Sequence, residues 1–183
     1  MRWLPIMVLG VASIMGGRAP AQTSAPSSID QPEAAWEELD RAWRAIEPND
    51  RERIAKATDQ TTRRRVATEI DRARAVVFVP RFRALADAHP GHAVEYRALR
   101  RLIELAPAVA DAKSLVIETL ARLEQTLLDQ AEVEAILETV RFTSWIVGED
   151  TVLRFFQVIG KKSPLSSARA AAVFHAVAMQ TEF

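Results

Sequence analysis

The sequence predicts an all-α fold, and three observations carry that prediction. After Pro32, apolar side chains recur at three- and four-residue steps through most of the chain, the period of helices with one buried face. Proline and glycine fall largely between those periodic stretches, where they start and stop helices. No two neighbouring stretches alternate apolar with polar residues as paired strands would. The expected architecture is a set of antiparallel helical hairpins, either a tetratricopeptide-like αα-superhelix or an irregular helical bundle.

The N-terminus stands apart from that pattern. Arg2 and the α-amino group make a positive start, Leu4 to Met15 form a 12-residue apolar stretch, and Ala19-Pro20-Ala21 supplies small residues around a cleavage point. The apolar stretch is shorter than the roughly 20 residues that span a bilayer. Residues 1–21 therefore read as a secretory signal peptide, and the protein is expected to be exported, to the periplasm or beyond the bacterial cell envelope. Loss of Arg2 and Arg18 with that segment leaves 22 basic against 24 acidic side chains. Residues 22–31, QTSAPSSIDQ, are rich in Ser, Thr and Pro and read as a flexible leader. Residues 32–183 then form a single helical domain.

Within that domain, Trp36, Leu39, Trp43 and Ile46 share one stripe of a first helix. Pro32 suits its first turn, and Asp30 is placed to cap it. Glu37 with Arg41, and Asp40 with Arg44, stand one helical turn apart on the other side. Pro48 is expected to stop this helix, with a short one following over Arg51 to Ala57. From about Thr61 a longer helix carries Val66, Ile70, Ala73 and Val77 on one face, and Phe78, Phe82 and Leu85 continue it on a slightly rotated one. Pro80 lies inside that run. Its ring removes a hydrogen bond and crowds the preceding turn, at a cost of about 3 kcal/mol, which predicts a kink or break near Val79. Val76, Val77 and Val79 have β-strand character but no strand-like partner nearby.

His89-Pro90-Gly91 is a stop, after which a helix runs from near Ala93 through Tyr96, Leu99, Leu102, Ile103 and Leu105 to Pro107. Val116, Leu120, Leu123 and Leu127 define the face of the next, with Glu118 and Arg122 spaced to pair on another side. Val133, Ile136, Leu137 and Val140 define a further helix. Gly148 follows it, and Asp150 is placed to cap a helix bearing Val152, Phe155, Phe156 and Ile159, which ends at Gly160 with Lys161 and Lys162. The last helix opens at Ser163-Pro164 and carries Val173, Phe174 and Val177. Pro90 and Pro164 are 74 residues apart, twice 37, and the midpoint falls beside Asp129-Gln130 between helices. That spacing is close to the repeat of about 34 residues in tetratricopeptide arrays.

Phe82-Arg83-Ala84-Leu85-Ala86 followed by His89-Pro90-Gly91, then Ala98-Leu99, and later Ser163-Pro164 with Arg169-Ala170, resembles the helical N-terminal region of exported bacterial proteins that end in a thioredoxin-like domain of the TlpA or peroxiredoxin type. The resemblance spans about residues 32 to 183 and implies a helical accessory domain for an oxidoreductase. Such a redox domain would add about 100 residues of α/β pattern and usually a CxxC, and neither is in this chain. The family's redox chemistry therefore has no residue here to carry it.

Composition narrows the chemistry further. The chain has no cysteine, so disulfides, thiolate metal ligands and thiol nucleophiles are all excluded within it. Its 24 Lys and Arg balance 24 Asp and Glu, which gives no global attraction to nucleic acid or to an acidic membrane. His89, His92 and Glu95, spaced by threes, are residue types that bind metals, but Pro90-Gly91 interrupts the helix that would align them. His175 lies among Ala172, Phe174 and Val177, as a partly buried or partner-facing side chain. Arg63-Arg64-Arg65 with Arg72, Arg74, Arg81 and Arg83 is the densest basic zone; Glu69 and Asp71 interleave it, so it reads as a solvated helix face. Glu132 with Glu134, and Glu149 with Asp150, are too close in sequence to converge as acid and base on one helix face and suit helix starts instead. Trp36, Trp43 and Trp145 sit in apolar stripes and are expected in the core.

No catalytic, cofactor-binding or metal-binding set emerges. The expectation is a non-enzymatic exported helical domain that works through protein–protein or interdomain contacts, with no nucleic acid, no cofactor and no membrane span after signal cleavage. Alternatively, the chain is an accessory N-terminal domain of a thioredoxin-like oxidoreductase whose catalytic cysteines lie elsewhere. The last helix favours contact, because Val173, Phe174 and Val177 end the chain without a polar helix to cover them.

Overall fold

The computed structural model describes residues 31–126 and 133–181. Among the described residues the chain is all-α, with eight helices, one 3-10 turn and no strand. The expected signal peptide, most of the expected leader, the Asp30 cap, Leu127 and the Asp129-Gln130 break lie outside them. No helix among the described residues is long and apolar enough to cross a membrane.

Helix α1 runs Pro32–Ala55, with Pro32 in the first turn as expected. It does not stop at Pro48, and the separate short helix after it is part of α1. The residues around the proline are fastened, one pair within α1 and one to the next helix. Arg51 reaches back across it to Glu47 at 3.0 Å, and Asp50 is held from the next helix by Arg74 at 2.8 Å. Helix α2, Gln60–Ala88, is capped by Asp59, whose carboxylate accepts the Thr62 N–H at 2.8 Å. That bond and the Thr62 hydroxyl hold the Asp59 pKa below the usual carboxylate range.

Pro80 likewise sits inside α2 without breaking it. Phe78 and Phe82, on either side of the proline, are both buried against α1. Trp43 meets Phe78 edge-on with ring centroids 5.1 Å apart, and Trp36 and Trp43 each lie 6.1 Å from Phe82. Anchoring both flanks in one aromatic cluster outweighs the local cost of the proline. The buried stripe of α2 consequently runs through Ile70, Ala75, Phe78, Phe82 and Leu85, while Ala73 and Val77 of the expected stripe face outward.

Helix α3, Ala93–Leu105, continues into a 3-10 turn at Ala106–Ala108 that contains Pro107. Helices α4 (Ala112–Thr126), α5 (Val133–Arg141), α6 (Ser144–Val147), α7 (Glu149–Lys162) and α8 (Ser166–Thr181) complete the chain. At the start of α7 the capping position is Gly148, at φ +89°, and not Asp150, which lies in the first turn with Glu149. Both carboxylates suit the positive end of that helix, and Lys161 and Lys162 occupy its last turn. Ser163, at the end of α7, accepts the Leu165 N–H at 3.2 Å in the turn that precedes α8.

Helices α1 and α3 pack on α2, and α4 packs on α3. Helices α5 and α7 pack on α8, and contacts of α3 with α5 and of α4 with α6 and α7 join the two groups. One core results, with Tyr96, Phe82, Phe155, Phe156, Leu99 and Ile103 among its largest fully buried side chains. The α5 and α7 stripes read from the sequence, Val133 to Val140 and Val152 to Ile159, are buried without exception.

Phe82 is fully buried where α1, α2 and the aromatic cluster meet. Phe82→Ala is expected to lower unfolding stability by about 3–5 kcal/mol in chemical denaturation. The exposed neighbour change Arg83→Ala is expected to stay within about 1 kcal/mol.

Candidate functional site

The turn at His89 to His92 brings together the residues with metal-binding chemistry; His92 and Glu95 are committed to other work, while the buried His89 Nε2 has no hydrogen-bond partner among the described residues. Gly91 takes φ +77°, a conformation that side chains disfavour, and this lets α3 start directly after the turn. His92 spends its Nδ1 as the N-cap, accepting the Val94 N–H at 3.2 Å. Glu95 is fully buried one turn later. Its carboxylate accepts the Gly91 N–H and the Arg122 Nε, each at 2.5 Å. Arg122 also donates to the Ala86 carbonyl and to the Asp87 carboxylate.

This arrangement is a structural clamp, since one guanidinium from α4 ties the end of α2 to the start of α3. Burial opposes the charge on Arg122 most strongly, but the bonds to Asp87 and Glu95 together outweigh it and raise its pKa. The expected pairing of Glu118 with Arg122 is not made. Glu118 meets Arg83 of α2 at 2.8 Å instead. Long-range geometry outcompetes the one-turn spacing because Glu95, shut away from water, is the more demanding partner. Among the described residues no three His, Asp or Glu side chains converge in a way that could hold a metal ion.

The basic zone of α2 is largely paired or stacked. Arg65 lies 3.9 Å from Glu69, Arg74 binds Asp50, and Arg83 binds Glu118. Arg63 donates to the Ala57 carbonyl at 3.1 Å, and Arg81 lies over the Phe78 ring. Arg74 and Arg101 stack on Trp43 at 4.8 and 5.4 Å from its ring centre. Beside Trp43 an open cleft of about 910 Å³ runs between α2 and the turn after α3, lined by Val76, Val79, Pro80, Leu105 and Val109 with Arg72 and Arg74. A smaller one of about 450 Å³ lies between α1 and α2 over Leu39, Leu85 and His89, with Glu38 and Arg81 at its edge. Glu132 and the Glu134 side chain lie outside the described residues.

The three tryptophans separate. Trp43 is buried and Trp36 half-buried, but Trp145 is 71% exposed and does not belong to the core. It sits on α6, a single turn of four residues too short to present a buried stripe. Phe142 just before it is 65% exposed, and on α8 Val173, Phe174 and Val177 are exposed as well. The Arg141 guanidinium lies 5.9 Å from the Phe142 ring.

His175 is half-buried, as expected, with its ring 5.8 Å from Phe156 and 5.5 Å from Phe174. Its buried Nδ1 has no hydrogen-bond partner among the described residues. Burial foremost, then the positive charge of Arg141, pushes its pKa down, with Glu138 opposing. Exposed apolar side chains thus stand at the α5–α6 corner, Phe142 and Trp145, and on α8, Val173, Phe174 and Val177, with His175 half-buried on α8. The exposure of Phe142 and Trp145 was not readable from residue spacing, because a four-residue helix has no period to read.

Two measurements test this description. Arg122→Met strands the Glu95 carboxylate and is expected to cost about 3–5 kcal/mol in chemical denaturation. His175 has a folded-state pKa below its ordinary 6.5, so the unfolded chain binds more protons in that window. Stability should therefore fall as pH drops below about 6.5 and level off once the folded-state pKa is passed. His175→Phe should flatten that part of the melting-temperature profile.

No protein-family model matches the chain, and neither the curated proteins nor the solved structures searched contain a match.

Proposed function

We propose that this protein is an exported helical module that acts by binding another protein through the apolar face of α8 and the α5–α6 corner. A single observation carries the reading. Five large apolar side chains, Phe142, Trp145, Val173, Phe174 and Val177, are each more than half exposed on elements that pack together or follow one another in sequence. Isolated apolar residues on a surface are ordinary, but Val173, Phe174 and Val177 stand within two turns of one helix, and such a grouping of aromatic and branched side chains is the usual mark of an interaction site. The carboxylates and guanidiniums that might have suggested chemistry are instead engaged in helix caps and ion pairs. Export rests on the charge and apolar pattern of residues 1–21.

The experiment is capture from cell-envelope extract on immobilised protein, comparing the parent chain with Phe174→Glu. The parent is expected to retain a stoichiometric partner that the variant loses, with both giving the same helical circular dichroism. Equal retention by both would contradict the assigned face. The intact mass of exported material tests the leader: cleavage after Ala21 is expected, and an unprocessed Met1 to Phe183 mass would contradict export by this route.

A further inference from the structure

We infer that the cleft between α1 and α2 is a binding site for an α-amino acid with an apolar side chain. The inference does not depend on the contact reading above, which concerns α8 and the α5–α6 corner.

Charge is the first ground. Glu38 of α1 and Arg81 of α2 line this cleft from its two walls, and they are the only Asp, Glu, Lys or Arg in its lining. Glu33, Asp40, Glu47, Asp50 and Glu52 of α1 are each held in an ion pair, and so are Arg65, Arg74 and Arg83 of α2. Glu38 and Arg81 form none, with each other or with any other described residue; the Arg81 guanidinium lies over the Phe78 ring. A carboxylate and a guanidinium that stay apart across one cleft suit a ligand bearing both signs, with an ammonium for Glu38 and a carboxylate for Arg81. An α-amino acid carries the two groups on one carbon.

A buried imidazole nitrogen is the second ground. His89 lines the same cleft, and its Nε2 is buried without a hydrogen-bond partner among the described residues. Such an atom is costly to leave unpaired, and it donates or accepts according to the tautomer of the ring. Either charged end of an amino acid therefore satisfies it. Size and apolarity agree with this. The cleft holds about 450 Å³, and sites for small molecules commonly hold about 300–1,000 Å³. Leu39 and Leu85 give it apolar surface for a side chain, while Ala35, Ala42, Ala84 and Ala88 keep its walls low.

NMR titration of the purified protein with L-leucine, to about 20 mM, tests this through the His89 imidazole signals, identified by their loss in His89→Gln. A saturable shift is expected, with a Kd on the order of 0.1 to 1 mM for a ligand of this size. Isoamylamine, which lacks the carboxylate, and isocaproate, which lacks the ammonium, are expected to bind at least about tenfold more weakly. Glu38→Gln and Arg81→Gln are each expected to weaken leucine binding by at least about tenfold. Both residues are exposed, and unchanged circular dichroism shows that the variants fold. The inference is overturned if no saturable shift appears at the highest concentration, or if either variant leaves leucine binding intact. It falls equally if isoamylamine or isocaproate binds as tightly as leucine, because the cleft would then recognise a single charge.

Discussion

One carboxylate shut away from water sets the geometry of the first half of the molecule. Glu95 has no solvent contact, so its charge must be met by the chain, and it is met by a backbone N–H and by Arg122. Arg122 in turn reaches the last turn of α2, so three helices are fixed at one point. A buried ion pair of this kind adds little net stability over an apolar pair of the same shape. Its contribution is to register, because any shift of α4 along α3 would leave a charge unpaired. The chain has no cysteine, so packing and such polar clamps carry the whole of that task.

Tertiary packing also explains why two prolines fail to interrupt their helices. Pro48 and Pro80 each remove a hydrogen bond, yet the residues around them are fastened to a neighbouring helix, by Asp50 to Arg74 and by Phe78 and Phe82 to the α1 tryptophans. The two prolines therefore lie in facing helices held by one aromatic and cation–π cluster centred on Trp43. Local propensity is a weak constraint when several kcal/mol of burial lie on both sides of it.

How far the sequence could be read follows from the range of each interaction. Short-range signals were legible: Pro32, the turn at His89 to Gly91, the acidic start and basic end of α7, and the α5 and α7 stripes all stand where spacing places them. Arg65 with Glu69 and Asp40 with Arg44, one turn apart, do meet, whereas Glu37 and Arg41, equally spaced on the exposed side of α1, form no ion pair among the described residues. Much of what failed depended on residues far along the chain, and the rest on local turns that spacing does not reveal. Arg122 chose Glu95 and Asp87 over Glu118, the α2 face rotated away from Ala73 and Val77, and Gly148 rather than Asp150 took the capping position because its positive φ turns the chain between α6 and α7. Trp145 was the largest misplacement. Its neighbours Phe142, Ile146 and Val147 suggest a core segment, but a one-turn helix between Thr143 and Gly148 buries Val147 and leaves the indole outside.

That misplaced indole matters most for function, since the proposed contact face exists only if Trp145 and its neighbours find no cover within their own chain. Fluorine NMR of protein labelled with 5-fluorotryptophan, with the Trp145 signal identified by its loss in Trp145→Phe, reads this directly through the shift between light and heavy water. In dilute solution the Trp145 resonance should show the full solvent shift while that of Trp43 shows almost none. A Trp145 shift as small as that of Trp43 under those conditions would mean that the face is already covered, and would contradict the account.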